Sequence, residues 1–435
     1  MDMLITGWGV LSSLGSTREE FTRNICCGRS GIAPIQSFDT SALGSHLAAT
    51  LRDPIGYKRH IAPSRLRRMD RLTRQLVYVA CEAFHHAGLN ELRVPPERRA
   101  VVLACGMNNT ESIEQFYVSL LQEGPEGANP ILFPATIPNS PAGLIAIELE
   151  CRGPNLTITQ KETSAEAGLV AALGLLQNDE ADVVLLVAGE SLTPVVYEGL
   201  AELRALSRSR TRQTAEAIHE LPGQIQREEM RPFSRRRNGF VAGEGSAAVV
   251  LERLHDRQGT DRPSLGRLIG AAECCQPCSP VKYPTDPLPM VGAVESLLKA
   301  TGRDPASIAF VNSAANATFS LDACEAEAIR RVTQKLGRCE SDLPVAAVKA
   351  QIGEFCAGGL TRILAAFIAL ETGICPPLPF EAKAYDCEFT HLRLSYQDMP
   401  PMVRDTDFLH LATATGGHQM VLWFSRGRAA QNLAT

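Results

Sequence analysis

The stretch Thr157–Ser164, TITQKETS, together with the run AEAGLVAALGLLQ that carries on to Gln177, decides how this chain is to be read. A β-branched run stops at a charged turn, and an Ala-, Gly- and Leu-rich helix begins directly after it. A strand that feeds a helix N-terminus through a tight turn is a favoured seat for a nucleophile. Free N–H groups and the helix dipole stabilise an anion there, and reactive cysteines favour such positions. The turn itself carries Lys161 and Glu162.

Outward from this turn, short apolar runs alternate with amphipathic stretches on both sides. Strands are predicted at Leu4–Val10, Arg99–Cys105, Val183–Val187, Leu265–Ala272, Ile308–Val311 and Met420–Phe424, with Val345–Lys349 as a further short run. Helices are predicted from a capping box at Ser16-Thr-Arg-Glu19 through Cys27, and over Val77–Leu89, Thr110–Gln122, Asp322–Leu336 and about Gly359–Thr372. Pro130–Pro141 reads as a proline-rich loop, and the arginine-bearing segment Ser207–Glu229 as a surface insertion. Two rounds of strand–helix alternation with buried strands predict two stacked α/β units, 1–252 and 253–435.

The 435 residues are enough for substantial cores, and 45% apolar with 21% charged residues is ordinary for a soluble globular protein. A net charge of −5 argues against a general nucleic-acid binder. No apolar run reaches the length of a membrane span, and the opening MDMLITGWGVLSS lacks a basic leader region. The thirteen scattered cysteines suit reduced thiols in the cytoplasm better than a disulfide frame. Cys275-Gln-Pro-Cys278 is a single C-x-x-C with no second pair, so neither a metal nor a cofactor is expected.

Longer phrases resemble the β-ketoacyl synthases, condensing enzymes of the thiolase superfamily. They are ITGWGVLSSLGSTREEFTRNICCGRSGI (5–32), FPATIPNSPAG (133–143) and RPFSRRRNGFVAGEGSAAVVLE (231–252), the last being the most specific. The resemblance covers nearly the whole chain. It implies a thiolase-like α/β fold, a duplicated five-layer αβαβα sandwich.

The same resemblance locates the chemistry. The family's P-x7-C-x-S-G motif, counted from Pro154, puts Glu162 at the cysteine position. The frame of its first histidine motif survives as VNSAANAT (Val311–Thr318), with Asp322 and Glu325 at their usual offsets and Ala314 where histidine belongs. The second survives as VKAQIGE (Val348–Glu354), with Lys349 retained and Glu354 in the histidine's place. In the gate, Ala414–Gly417, Thr415 replaces the gating phenylalanine. Condensation needs a thiol to hold the acyl chain and donors to stabilise the oxyanion. A methyl group donates nothing, and an ionised carboxylate repels a developing negative charge.

The chain therefore resembles a catalytically inactive member, the chain length factor of type II polyketide synthases. What this implies is a heterodimer with an active ketosynthase, working on an acyl carrier protein. Acyl transfer or decarboxylation through Glu162 is the alternative, and a structural homodimer a third. Ile113, Phe116 and Tyr117 share one face of the helix from Thr110 by their i, i+3, i+4 spacing. In the family this helix lies at the subunit seam, so these residues, with Phe133, are expected to wall the acyl tunnel. Lys58, Arg59, Arg65, Arg67, Arg68, Arg71 and Arg74 form a basic cluster. Within it, Arg67 and Arg68 of an RxMD-like segment are the expected carrier-docking residues.

Overall fold

The computed structural model describes residues 3–52, 56–89, 94–130, 132–209, 227–253, 264–402 and 406–426. Most of the expected insertion, Ser207–Glu229, lies outside them. Strand β1 (Met3–Ser12) is buried along its whole length, which explains why its sequence does not alternate. It is followed in the first half by β2 (Arg99–Ala104), β3 (Asn155–Ile158), β4 (Val183–Glu190) and β5 (Gly245–Arg253). The second half holds β6 (Gly266–Cys275), β7 (Ile308–Asn312), β8 (Pro344–Ala346), β9 (Asp407–Thr413) and β10 (His418–Ser425).

The spatial orders are β3-β2-β4-β5-β1 and β8-β7-β9-β10-β6, the same permutation twice, with a two-residue strand, Arg393–Leu394, added parallel outside β8. In each half the three strands farthest from the seam are mutually parallel and the last two antiparallel. The halves meet where β1 pairs antiparallel with β6, Met3 opposite Leu268 and Ile5 opposite Gly266. Gly266 is needed at this seam: a Cβ would lie 2.2 Å from the Phe367 ring and 2.7 Å from the Ser425 carbonyl oxygen.

Helix α1 (Arg71–His86) covers the outer face of the first half through Leu76, Val79 and Ala83. Helix α2 (Thr110–Glu123) lies toward the surface. Helices α3 (Ser164–Gln177) and α6 (Gly359–Thr372) form the middle layer, where Leu169 and Leu173 join Ile363 and Phe367 in one apolar cluster with strands of both halves. Every residue of α6 from Gly359 to Leu370 is buried, as its all-round apolar sequence requires. Helices α4 (Leu288–Thr301) and α5 (Phe319–Lys335) cover the second half's outer face through Val294, Leu297, Ile329 and Val332. The layering is helix, sheet, helix, sheet, helix, as expected.

Several local expectations shift. The capping box sits one residue later: Thr17 accepts from the Glu20 N–H at 3.2 Å while Glu20 accepts from the Ser16 N–H at 3.0 Å. Helix α1 begins at Arg71, because Asp70 caps it through the Thr73 N–H at 2.7 Å. The loop Pro130–Pro141 contains a 3-10 turn, Phe133–Thr136, and the start of a helix at Ser140. All thirteen cysteines are free thiols. Among the described residues no helix is long and apolar enough to cross a membrane.

Candidate active site

Strand β3 ends at Ile158, and a single 3-10 turn, Lys161–Thr163, delivers the chain into α3. Lys161 sits at φ +50°, in the left-handed region that lysine seldom adopts. The turn is held by the Thr163 hydroxyl, which donates to the Gln160 carbonyl at 2.9 Å, and by the Gln160 N–H, which donates to Ser164 Oγ at 2.8 Å. The Lys161 ammonium has no ion pair among the described residues and donates to the carbonyls of Pro280 at 2.6 Å and Thr415 at 3.4 Å.

Glu162, at the expected nucleophile position, is already fully engaged. Its Oε1 accepts from the Tyr283 hydroxyl at 3.2 Å and its Oε2 from the Thr415 N–H at 3.1 Å. The Thr415 hydroxyl lies 3.4 Å from both oxygens. Burial raises its pKa and Glu354 adds to the rise, partly offset by N–H donors and by Lys349.

Opposite this turn, β7 runs into the loop 313–318. Ala314 is completely buried, and its N–H donates to Glu325 Oε1 at 2.7 Å. Glu325 also accepts from the Ser313 hydroxyl at 3.0 Å. Asp322 accepts from the N–H groups of Phe233 (2.6 Å), Asn316 (3.0 Å) and Ala317 (3.1 Å). The two frame carboxylates therefore still shape the loop, although the side chain it presents has shrunk to a methyl.

Glu354 accepts at Oε2 from the Lys349 ammonium at 2.6 Å and from Asn316 Nδ2 at 2.8 Å. Both members of this ion pair are buried, 6% exposed for Glu354 and 4% for Lys349. Asn316 Nδ2 also lies 3.0 Å from the Tyr283 oxygen. One polar chain, running Glu162, Tyr283, Asn316, Glu354, Lys349, thus joins the sequence-predicted Glu162, Glu354 and Lys349 through Tyr283 and Asn316, which the sequence did not single out. Ala314 belongs to the same loop as Asn316 and contributes only backbone.

The cavity left among these groups measures about 70 Å³ and is lined by Met107, Glu162, Glu190, Glu354, Phe355 and Cys356, among others. Glu190 accepts from the N–H groups of Gly106 and Met107, and burial pushes its pKa up to about 7. The Cys356 thiol is a candidate nucleophile by type only. Burial and the carboxylates of Glu162, Glu190 and Glu354 raise its pKa well above the usual value, so it stays protonated near neutrality. Three carboxyl groups, Glu162, Glu190 and Glu354, crowd the cavity where condensation needs donors, and Ser191 adds a hydroxyl. Lys349 is committed to Glu354, and no group of acidic, histidine or cysteine side chains among the described residues could hold a metal ion.

A second buried network was not anticipated. Glu166, in the first turn of α3, meets Arg362 of α6 at 3.2 Å and His410 Nε2 of β9 at 2.7 Å. Burial and the Arg362 charge lower the His410 pKa to about 4, so its imidazole is neutral at pH 7. Its Nδ1 is 2.9 Å from Asn312 Nδ2 and acts as the acceptor, which leaves Nε2–H to donate to Glu166. Burial opposes ionisation of Glu166, yet the His410 hydrogen bond and Arg362 hold its carboxyl below the usual range. The available signal was an ionisable residue inside each of three apolar runs, Glu166 in AEAGLVAALG, Arg362 in LTRILAAFIAL and His410 in DFLHLAT.

The other expected site residues lie apart from this centre. Phe116 of α2 packs against Phe133, ring centroids 5.7 Å apart, and against Tyr117 at 6.0 Å. Tyr117 and Phe133 are 56% and 53% exposed, and Ile113 is half-buried. Most of the basic cluster is used internally. Arg59 pairs with Glu82, Arg65 with Glu148 and Arg71 with Glu244, while Arg74 donates to the Leu66 carbonyl. Arg67 and Arg68 are exposed and line a cleft of about 470 Å³ beside α2.

This duplicated five-layer architecture, with a turn of this kind at the head of its middle layer, is the thiolase-like fold. The chain belongs to the β-ketoacyl synthase family: the N-terminal domain model matches residues 2–257 and the C-terminal domain model residues 266–379. Curated relatives include 3-oxoacyl-acyl-carrier-protein synthase 2 of Synechocystis, 27% identical over 90% of each chain. Its Staphylococcus aureus (strain COL) namesake is 26% identical over 98% of this chain and 99% of its own. Among solved structures, the ishigamide ketosynthase/chain length factor superposes with a TM-score of 0.80 at 24% identity, covering 98% of both chains. AntDE:AntF, a type II polyketide synthase acyl-carrier protein in complex with its ketosynthase, gives 0.79 at 19% identity over 98% of this chain and 99% of that one.

Proposed function

We propose that this chain is a non-condensing subunit of the chain length factor type. On this reading it pairs with an active ketosynthase of a type II polyketide synthase and shapes the tunnel in which the chain grows on an acyl carrier protein. The observation that carries the reading is the state of the three catalytic positions. Glu162 is tied down by Tyr283 and Thr415, Ala314 has no donor side chain, and Glu354 is neutralised by Lys349. A scaffold of this family that keeps its frame carboxylates but lacks thiol and donors has a use only beside a competent copy.

Two surface features support a partner subunit. Strand β3 is the outer strand of its half and exposes Leu156, an open edge ready for pairing. Helix α2 buries only Ser112 completely and leaves Tyr117, Val118 and Leu121 exposed, Leu121 to 82%. Apolar exposure of this kind marks an interaction face. Ile113, Phe116, Tyr117 and Phe133 sit on that side and are the proposed tunnel wall, while Arg67 and Arg68 remain the proposed carrier contacts. Acyl transfer or decarboxylation through Glu162 is the weaker reading, because both its oxygens already accept hydrogen bonds.

The test is co-expression with the cognate ketosynthase, loading with an acyl donor, and intact-mass analysis of both subunits. A stable heterodimer with acyl adduct only on the partner is expected. A stoichiometric adduct on Glu162 or Lys161 would overturn the proposal.

A further inference from the structure

Helix Arg18–Cys26 and the carboxyl end of β1 enclose a cleft of about 300 Å³ that shares no lining residue with the Glu162 cavity. Its walls are the turn Ser12–Ser16, the helix residues Glu20, Arg23 and Asn24, and Arg29, Ser30, Leu51 and Arg52. The turn is closed on itself, the Ser12 N–H donating to the Gly15 carbonyl and the Gly15 N–H to the Ser12 carbonyl, both at 3.0 Å.

The charge pattern is what singles this cleft out. The chain carries a net charge of −5, and its arginines are mostly spent on carboxylates, as in Arg18–Glu82, Arg98–Asp182 and Arg253–Asp182. Arg23, Arg29 and Arg52 are exposed, and among the described residues none has an ion pair or a side-chain hydrogen bond. The one carboxylate in the cleft, Glu20, accepts from the Ser16 N–H at 3.0 Å and so is occupied. Ser13 also lines the cleft, 5% exposed, and its hydroxyl has no partner. Three arginines without a carboxylate partner and several serines thus line one cleft, a composition suited to a tetrahedral, multiply charged oxyanion, which guanidinium binds in bidentate fashion.

We propose that this cleft binds a phosphorylated small molecule, its phosphoryl oxygens held by Arg23, Arg29 and Arg52. The volume lies at the small end of ligand pockets, enough for a phosphoryl group and a short attached portion. Two sources share this chemistry, inorganic phosphates and the nucleotide end of a coenzyme.

The experiment is calorimetric titration of the full-length chain at low salt with inorganic pyrophosphate and, separately, with adenosine 3′,5′-bisphosphate. Saturable binding that weakens as salt is added is expected. Arg23→Gln, Arg29→Gln and Arg52→Gln should each weaken it about tenfold, the worth of one charge-assisted hydrogen bond. Arg204→Gln, an exposed arginine outside the cleft, should leave it unchanged. Tighter binding of the nucleoside bisphosphate points to a coenzyme, and equal binding to the phosphoryl group alone. These substitutions lie at exposed positions, and unchanged thermal midpoints confirm that each variant is folded. The proposal is overturned if neither probe saturates, or if a folded triple variant binds pyrophosphate as tightly as the parent.

Discussion

The Thr415 N–H donates to Glu162 Oε2 at 3.1 Å, so the residue at the expected nucleophile position ties down the loop Ala414–Gly417. The same loop is tied at its flanks: the Gly416 N–H donates to the Lys282 carbonyl and the Gln276 N–H to the Gly417 carbonyl, both at 3.0 Å, while the Lys161 ammonium reaches the Thr415 carbonyl. A carboxyl acceptor at the centre and backbone bonds around it make a clamp.

Glu162→Ala should open that clamp. Hydrogen exchange of the Ala414–Gly417 backbone should speed up, with a global stability loss of about 1–3 kcal/mol for the lost charge-assisted bonds. Exchange mass spectrometry of the peptide reads this, and unaltered protection would show that the carboxylate is not what holds the loop. Glu162→Cys should lose the clamp as well and still give no condensation in a complex whose partner thiol has been removed, because Ala314 and Glu354 remain unable to donate.

The Lys349–Glu354 pair should behave as a buried ion pair. Lys349→Met leaves Glu354 charged and unpaired in the interior and should cost about 3–5 kcal/mol. Adding Glu354→Leu should recover most of that loss. Denaturant unfolding of the two single variants and the double variant decides it, and additive losses would exclude the coupling.

Glu190 predicts a pH dependence of stability. Its folded-state pKa of about 7 lies above the ordinary 4.5, so between those values the folded chain holds a proton that the unfolded chain has released. Stability should therefore fall as pH rises through that window, by up to about 3 kcal/mol from this group. Glu190→Gln should flatten the slope. Thermal midpoints across the window test this, and an unchanged slope in the variant would assign the titration elsewhere.

Phe116→Ala and Ile113→Ala separate tunnel wall from plain interface. A wall residue that is truncated leaves assembly intact and lengthens the product by one or more extension units. A core residue that is truncated costs about 3–5 kcal/mol for a phenylalanine and weakens the complex with no change in product. Mass spectrometry of products from the reconstituted pair distinguishes the two.

Much of the fold was legible because buried strands and the middle-layer helices write themselves as apolar runs. Val183–Val187 and Gly359–Thr372 are of that kind, and both fall inside observed elements. What escaped was context. Strand β9 carries His410 in its centre, which breaks the apolar pattern, and partners from three other elements, Glu166, Arg362 and Asn312, make that burial tolerable. Helix α4 lies behind the prolines of Pro284–Pro289, which obscured its start at Leu288. At the candidate site, Glu162, Ala314, Glu354 and Lys349 could be located by spacing within motifs. Tyr283, Asn316 and Glu190 could not be linked to them, since their roles exist only once distant segments meet.

The Glu166–Arg362–His410 cluster bears on how the molecule can be taken apart. Glu166 comes from the first half of the chain, Arg362 and His410 from the second, and all three are at most 1% exposed. A fragment carrying either half by itself would expose the middle layer and leave a full charge with no counter-ion. Despite their matching strand orders, the halves share this one buried charge cluster, and splitting the gene between them should produce two insoluble pieces that fold only when they are made together.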